Sequence, residues 1–236
     1  MDLERATPMP LPAPDVDRLL TLGARYDCPN GTTAVVVALP TAELPLPSGT
    51  VSACDPHVCL SEPGEPFPQS PPPGSYPVTL SVVEFTRPGD EEYTPDRRVA
   101  AAHLRLAEEP VVRWAMADGE EEEIQALGEE DYFGYGVDTG TGCFFDAAAG
   151  DELYDLLGDG DTLEAGFDAR ADVDPDDLGP AVFTDPDTGG GLVAFRTGFG
   201  DGRYPTWAGY GADGRPVALV TEFLIVPQPG RPLDLD

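Results

Sequence analysis

Lysine is absent from this 236-residue chain, so all 13 basic residues are arginine, set against 44 aspartates and glutamates. The formal charge of −31 disfavours partners that are themselves polyanionic, and neither nucleic acid nor an anionic membrane surface is expected as a ligand. Long apolar runs are missing too. The longest, Ala34–Leu39, falls far short of the roughly 20 residues a membrane-spanning helix needs. Met1–Asp17 is charged and Pro-rich with no apolar centre, unlike a secretory signal. A cytoplasmic location is therefore expected, with Cys28, Cys54, Cys59 and Cys143 reduced. Histidine occurs only at His57 and His103, which leaves a Ser–His or Cys–His nucleophile few options. The missing lysine beside abundant Ala, Gly, Pro, Asp and Arg fits the bias of a GC-rich genome.

What is present suits a globular domain able to bury a core without disulfides or metal. Residues 1–14 read as a Pro-rich lead, residues 15–228 as one β-rich domain with acidic inserts near 118–131 and 158–179, and residues 229–236 as a tail. A short helix is expected at Asp15–Arg25 with Asp15 as cap. Strands are expected at Thr32–Leu39, Leu46–Asp55 with Pro47-Ser48-Gly49 as its turn, Tyr76–Phe85, Val99–Leu106, Val111–Met116, Ala181–Thr184 and Leu192–Arg196. Tyr135–Phe145 is Gly-rich, Asp146–Leu157 has the spacing of a helix, and Pro56–Gly74 and Gly158–Gly179 read as irregular. The C-terminal runs Tyr204–Tyr210 and Pro216–Val226 are joined by Asp213-Gly214, a strong hairpin signal. An earlier ribbon echoes this one: Gly74-Ser75-Tyr76-Pro77 matches Gly202-Arg203-Tyr204-Pro205, and Arg98–Leu106 follows it as Arg215–Phe223 follows the second. No alternation of strand and helix suggests a parallel sheet. The expected fold is mainly β (α+β): an antiparallel sandwich or half-open barrel with two pseudo-repeated hairpins and minor helices.

Several strings could carry chemistry. Val137-Asp138-Thr139-Gly140 resembles the active-site loop of pepsin-like aspartic proteases, and Asp187-Thr188-Gly189 offers a second copy. That chemistry needs two carboxylates about 3 Å apart sharing a proton; the alternative is a tight turn whose aspartate bonds nearby backbone. Cys54, His57 and Cys59 lie within six residues, with Cys28 or Cys143 as a further ligand, but no second knuckle completes a zinc pattern. His103 is expected on an exposed or edge position of its strand. Asp172, Asp174 and Asp176 begin like a calcium loop, yet Asp177 stands where glycine is required and Phe183 where the closing carboxylate belongs. A cation site could instead use Asp138, Asp146 and Asp201, each beside a Gly turn, with Asp138 and Asp201 as the metal ligands. Tyr204, Trp207 and Tyr210 offer a binding surface; on a regular strand Tyr204 and Tyr210 share one face and Trp207 the other.

Gly136-Val137-Asp138-Thr139-Gly140-Thr141-Gly142-Cys143-Phe144, then Gly198–Pro205 and Thr221-Glu222-Phe223, together with Leu46–Gly49, Ala53–Pro56 and Gly74–Val82, resemble an uncharacterised bacterial domain-of-unknown-function family of actinomycete type. The resemblance covers about residues 35–226 and implies a single domain with no established activity and no assigned catalytic residues. The reading that follows is a non-catalytic, cytoplasmic binding module with no cofactor, taking a basic protein partner, with an immunity-protein-like role as one form. The alternative is a divalent-cation-dependent hydrolase using the turn aspartates.

Overall fold

The apolar runs become strands, and every strand pair is antiparallel, in a computed structural model that describes residues 10–58, 60, 65–158, 160–170, 172–174, 176–231 and 233. In chain order the elements are α1 (Val16–Leu19), β1 (Arg25–Asp27), β2 (Thr33–Ala38), β3 (Thr41–Leu46), β4 (Val51–Cys54), β5 (Gly74–Thr86), β6 (Asp96–Arg105), β7 (Arg113–Met116) and α2 (Glu121–Gln125). There follow β8 (Tyr135–Val137), β9 (Thr141–Asp146), α3 (Gly150–Leu157), α4 (Asp161–Asp168), β10 (Ala181–Thr184), β11 (Gly191–Arg196), β12 (Gly202–Tyr204), β13 (Thr206–Tyr210) and β14 (Pro216–Glu222).

An eight-stranded sheet in the order β1-β2-β5-β6-β14-β13-β7, with β3 also paired to β5, curves into a half-barrel. The two expected ribbons lie side by side in it, joined through their second strands, with Leu104 opposite Leu219. They differ at their prolines. Pro77 stays within β5, whereas Pro205 ends β12, which leaves the large sheet to pair with β8. Proline lacks the N–H that a continuous ladder would need at that position.

A second sheet, β10-β11-β9-β4, packs against the first and is covered on its other side by α3 and α4. This double cover explains why Thr141–Asp146 is buried at every position. Phe144 and, on the neighbouring strand, Val193 and Phe195 face the main core. Cys143, Phe145, Leu192 and Ala194 face Leu153 and Leu157 of α3 and Leu163 and Phe167 of α4. A strand apolar on both faces loses its alternation. Rings bind the layers together in sequence: Phe144 to Phe195 at 5.8 Å, Phe195 to Phe223 at 5.9 Å, and Phe223 to Tyr204 edge-on at 5.0 Å. Gly198 permits that approach, since at φ 45° a Cβ there would meet Phe223 Cβ and Ile225 Cγ2 at 2.9 Å each.

Some expectations need correction. Gly158–Gly179 is not wholly irregular, because Leu163 and Phe167, spaced four apart, fold α4 onto the small sheet. The turn expected at Pro47-Ser48-Gly49 is present, with Leu46 closing β3 before it and Val51–Cys54 forming β4 after it, so Leu46–Asp55 belongs to two strands. The first helix ends at Leu19, though Asp15 caps it by accepting from Arg18 N at 3.1 Å. His103 sits on a central strand, between β5 and β14, and is half-buried rather than at an edge. Burial pushes its imidazole down to about 4, helped by Arg105. Of the described residues at the two ends, Leu11 is buried with its N–H bonded to Asp131 O, and Arg231 is buried against Glu222. Among the described residues no helix is long and apolar enough to cross a membrane.

Double-sided burial makes β9 the most sensitive strand. Phe144→Ala and Phe145→Ala are each expected to cost about 3–5 kcal/mol in denaturant unfolding. Val182→Ala, on the exposed side of β10, should stay within about 0.5 kcal/mol.

Candidate functional site

At the ends of the doubly covered β9 and its neighbours three carboxylates are buried, those of Asp55, Asp146 and Asp185, and buried charges need donors. Loop backbone supplies them. Asp55, fully buried at the end of β4, accepts from Asp138 N and Thr139 N through Oδ2 at 2.9 Å each, and the Thr139 hydroxyl donates to it at 2.9 Å. Its Oδ1 accepts from His57 N at 3.0 Å. The carboxylate that shapes the first Asp-Thr-Gly loop is therefore Asp55, while Asp138 itself is exposed.

The second loop uses the same device. Asp185 Oδ1 accepts from Asp187 N at 3.1 Å, Thr188 N at 2.7 Å and the Thr188 hydroxyl at 2.7 Å. These bonds, the Thr188 backbone first, hold its carboxyl below the usual range. The two loops lie at opposite ends of the β9–β11 ladder, where Thr141 faces Arg196 at one end and Phe145 faces Leu192 at the other. Asp138 and Asp187 consequently cannot share a proton, and the loops are turns held by an upstream aspartate.

Asp146 is similarly committed. Buried at the far end of β9, it accepts from Ala148 N at 3.0 Å, Ser48 N at 3.0 Å and the Ser48 hydroxyl at 2.5 Å, which fastens the Leu46–Gly49 turn. It stands about 17 Å along the strand from Thr141, at roughly 3.4 Å per residue. Asp201 is exposed one step beyond Gly202, which pairs with Val137, so Asp138 and Asp201 flank one end of the β8–β12 ladder and Asp146 does not join them. Among the described residues no group of three or more His, Cys, Asp or Glu could hold a metal ion. Cys54 and Cys143 face each other across β4 and β9 with sulfurs 3.8 Å apart, Cys28 lies at the β1–β2 turn, and Cys59 falls outside the described residues.

The aromatic set divides otherwise than strand parity implies. Tyr204 is a core residue: its hydroxyl donates to Gly200 O at 2.6 Å and its ring meets Phe223. Trp207 and Tyr210 border one groove although they alternate along β13, whose pairing with β7 runs in unbroken register from Trp207 to Tyr210. That groove, a cavity of ≈ 760 Å³, runs beside β7, the last strand of the large sheet, and is bounded by Pro10–Ala13, Pro68, Gln69 and α2. Trp114 lines it and packs on Gly209, where a Cβ would meet the indole at 2.9 Å. Both tryptophans of the chain thus line the same groove. Arg113 covers the Tyr210 ring at 4.2 Å, and Gln69 Nε2 donates to the Tyr210 hydroxyl at 3.1 Å. Among the described residues Trp207 Nε1 and Gln69 Oε1 are buried with no partner, one donor and one acceptor unspent. The rim carries Glu121 of α2, whose capping box joins Glu120 and Glu123. Nothing in the sequence of Val111–Met116 marks this run as the edge strand or Trp114 as a groove residue; the one usable sign is that only two tryptophans exist.

Residues 44–221 match the model of a family described as a protein of unknown function, DUF4241, and the chain belongs to that family. No curated protein and no solved structure matches the chain.

Asp55→Ala is expected to cost about 3 kcal/mol, because it strands several donors that a charge had satisfied. Asp138→Ala should change stability by no more than about 0.5 kcal/mol. Urea unfolding of both variants checks the assignment, and equal effects would overturn it.

Proposed function

We propose that this DUF4241 chain is a non-catalytic binding module that takes a basic, extended segment of a partner protein along the β7 groove. The supporting observation is the pairing of an aromatic floor, Trp114, Trp207 and Tyr210, with an unspent donor on Trp207 and an unspent acceptor on Gln69. One donor and one acceptor match a peptide group, and aromatic grooves suit extended or proline-containing chains. The sheet edge beside the groove offers further main-chain pairing. A net charge of −31 and the acidic turn of α2 select a basic partner and speed its arrival at low salt. A cytoplasmic role in an actinomycete-type bacterium, neutralising a basic toxin as an immunity protein does, is the form this reading takes; the lysine-free, Asp- and Arg-rich composition supports the bacterial setting. The cation-dependent hydrolase draws less support, since Asp146 is committed to Ser48 and Ala148, which leaves Asp138 and Asp201 as a pair.

Since both tryptophans line the groove, intrinsic fluorescence reports its occupancy. Titration with a ten-residue Arg- and Pro-rich peptide is expected to give a saturable change that weakens as salt rises, while a Glu-for-Arg peptide gives none. Trp114→Ala should weaken binding at least tenfold, or about 1.4 kcal/mol, with Trp207 still reporting. No saturation, or equal binding of the acidic peptide, would contradict the proposal.

A further inference from the structure

Beyond the end of β14 the chain turns back on itself, and Gln228 and Arg231 form an isolated antiparallel bridge. This turn places Arg231 against Glu222 in the interior, their side chains 5% and 1% exposed. Arg231 Nη2 donates to both Glu222 oxygens, at 2.8 and 2.7 Å. A guanidinium carries five N–H donors, so a single nitrogen meets the carboxylate, while Nε and Nη1 are buried with no acceptor among the described residues. Gln228 adds a second unsatisfied group: its Oε1 accepts from Asp15 N at 2.9 Å, but its Nε2 has no partner among the described residues. As whole residues Gln228 and Arg231 are 6% and 9% exposed.

These side chains line one cavity of ≈ 220 Å³, whose other walls include Leu11, Leu224, Val226 and Leu233. Glu130 and Tyr132 complete it, and they alone of its lining residues lie within the span matched by the family. The backbone around the cavity is strained as well. Among the described residues three non-glycine positions have positive φ, and two of them, Glu130 at 63° and Leu224 at 57°, line this cavity. A branched aliphatic residue such as leucine rarely adopts that conformation, and strain of this kind gathers at ligand sites.

Buried donors without acceptors are uncommon in folded proteins and mark a missing partner. Here the donors sit on one cation and one amide, which call for oxygen acceptors and favour an anion. The leucines and Val226 call for an aliphatic body. The volume lies below the 300–1,000 Å³ typical of drug-sized ligands, and a doubly charged group would face repulsion from Glu222 and Glu130. We infer that this cavity binds a small aliphatic monocarboxylate, its oxygens toward Arg231 and Gln228 and its tail against Leu224, Val226 and Leu233. Burial pushes the Glu222 carboxyl up to about 7, with Arg231 drawing it back, so Glu222 can take up a proton when a second carboxylate enters. The other titratable groups on the cavity are Glu130 and Tyr132, and burial pushes the Tyr132 phenol up. Binding is accordingly tighter at pH 6 than at pH 8.

The site and the β7 groove share Leu11 as a common wall and no other lining residue, and the site is tested with the full chain by melting scans and titration calorimetry. Butyrate and isovalerate are compared with chloride at matched ionic strength, with isobutyramide and isopentylamine as controls. Saturable stabilisation by the two carboxylates alone is expected, stronger at pH 6. Val226→Phe, which fills the cavity and leaves every donor in place, should abolish it, and Gln228→Met should weaken it several-fold. No saturable shift beyond chloride, equal binding of the amide or amine, or a response that survives Val226→Phe would overturn the inference. Arg231→Met is the less useful variant, because removing one member of a buried ion pair endangers folding itself.

Discussion

Strand β9 is packed from both sides, and most of the molecule follows from that constraint. Phe144 faces the large sheet and Phe145 faces the two helices, so neither face can be left to solvent. The chain must therefore return as α3 and α4 over Phe145 and Leu192, while Phe195 and Phe223 must fill the space between the sheets. The ends of such a strand are a further difficulty, since the carboxylates buried there cost free energy unless hydrogen-bonded. Loop amides answer it, toward Asp55 at one end and toward Asp146 and Asp185 at the other.

This use of carboxylates changes how the acidic motifs are understood. An Asp-Thr-Gly string suggests a catalytic loop, and two copies suggest a dyad. Each copy is in fact a turn whose amides and threonine hydroxyl point at an aspartate a few residues or a whole strand away. The glycines fit the same role, with Gly140 and Gly189 at φ 66° and 73°. Unspent polar groups lie elsewhere, in the β7 groove and in the cavity beside Arg231.

The strands and both ribbons were legible in the sequence because alternating apolar residues and Asp-Gly turns report local chain geometry. What escaped was set by distant contacts. Helix α4 shows only Leu163 and Phe167 among acids, and the sheet beneath, not propensity, makes it a helix. Strand β3 contains Pro45 and pairs with β5 regardless. Trp207 and Tyr210 border one groove although strict alternation puts them on opposite faces of β13. Arg231 looked like part of a tail because its partner, Glu222, is nine positions away in another element. Asp138, Asp146 and Asp201 were conspicuous by their glycine neighbours, yet the residue that governs the first loop is Asp55, 83 positions from Asp138 and marked in sequence only by the Pro56 that follows it.

The central claim is that buried carboxylates serve the backbone at the ends of β9. Amide hydrogen exchange tests it most directly, at Asp138, Thr139, Ser48, Ala148 and Thr188. These amides lie in loops, where exchange is ordinarily fast. Protection comparable to that of the β9 amides is expected, with selective loss at Asp138 and Thr139 in Asp55→Ala. Fast exchange at these sites in the unaltered chain would contradict the account and return the loop aspartates to consideration as chemical groups.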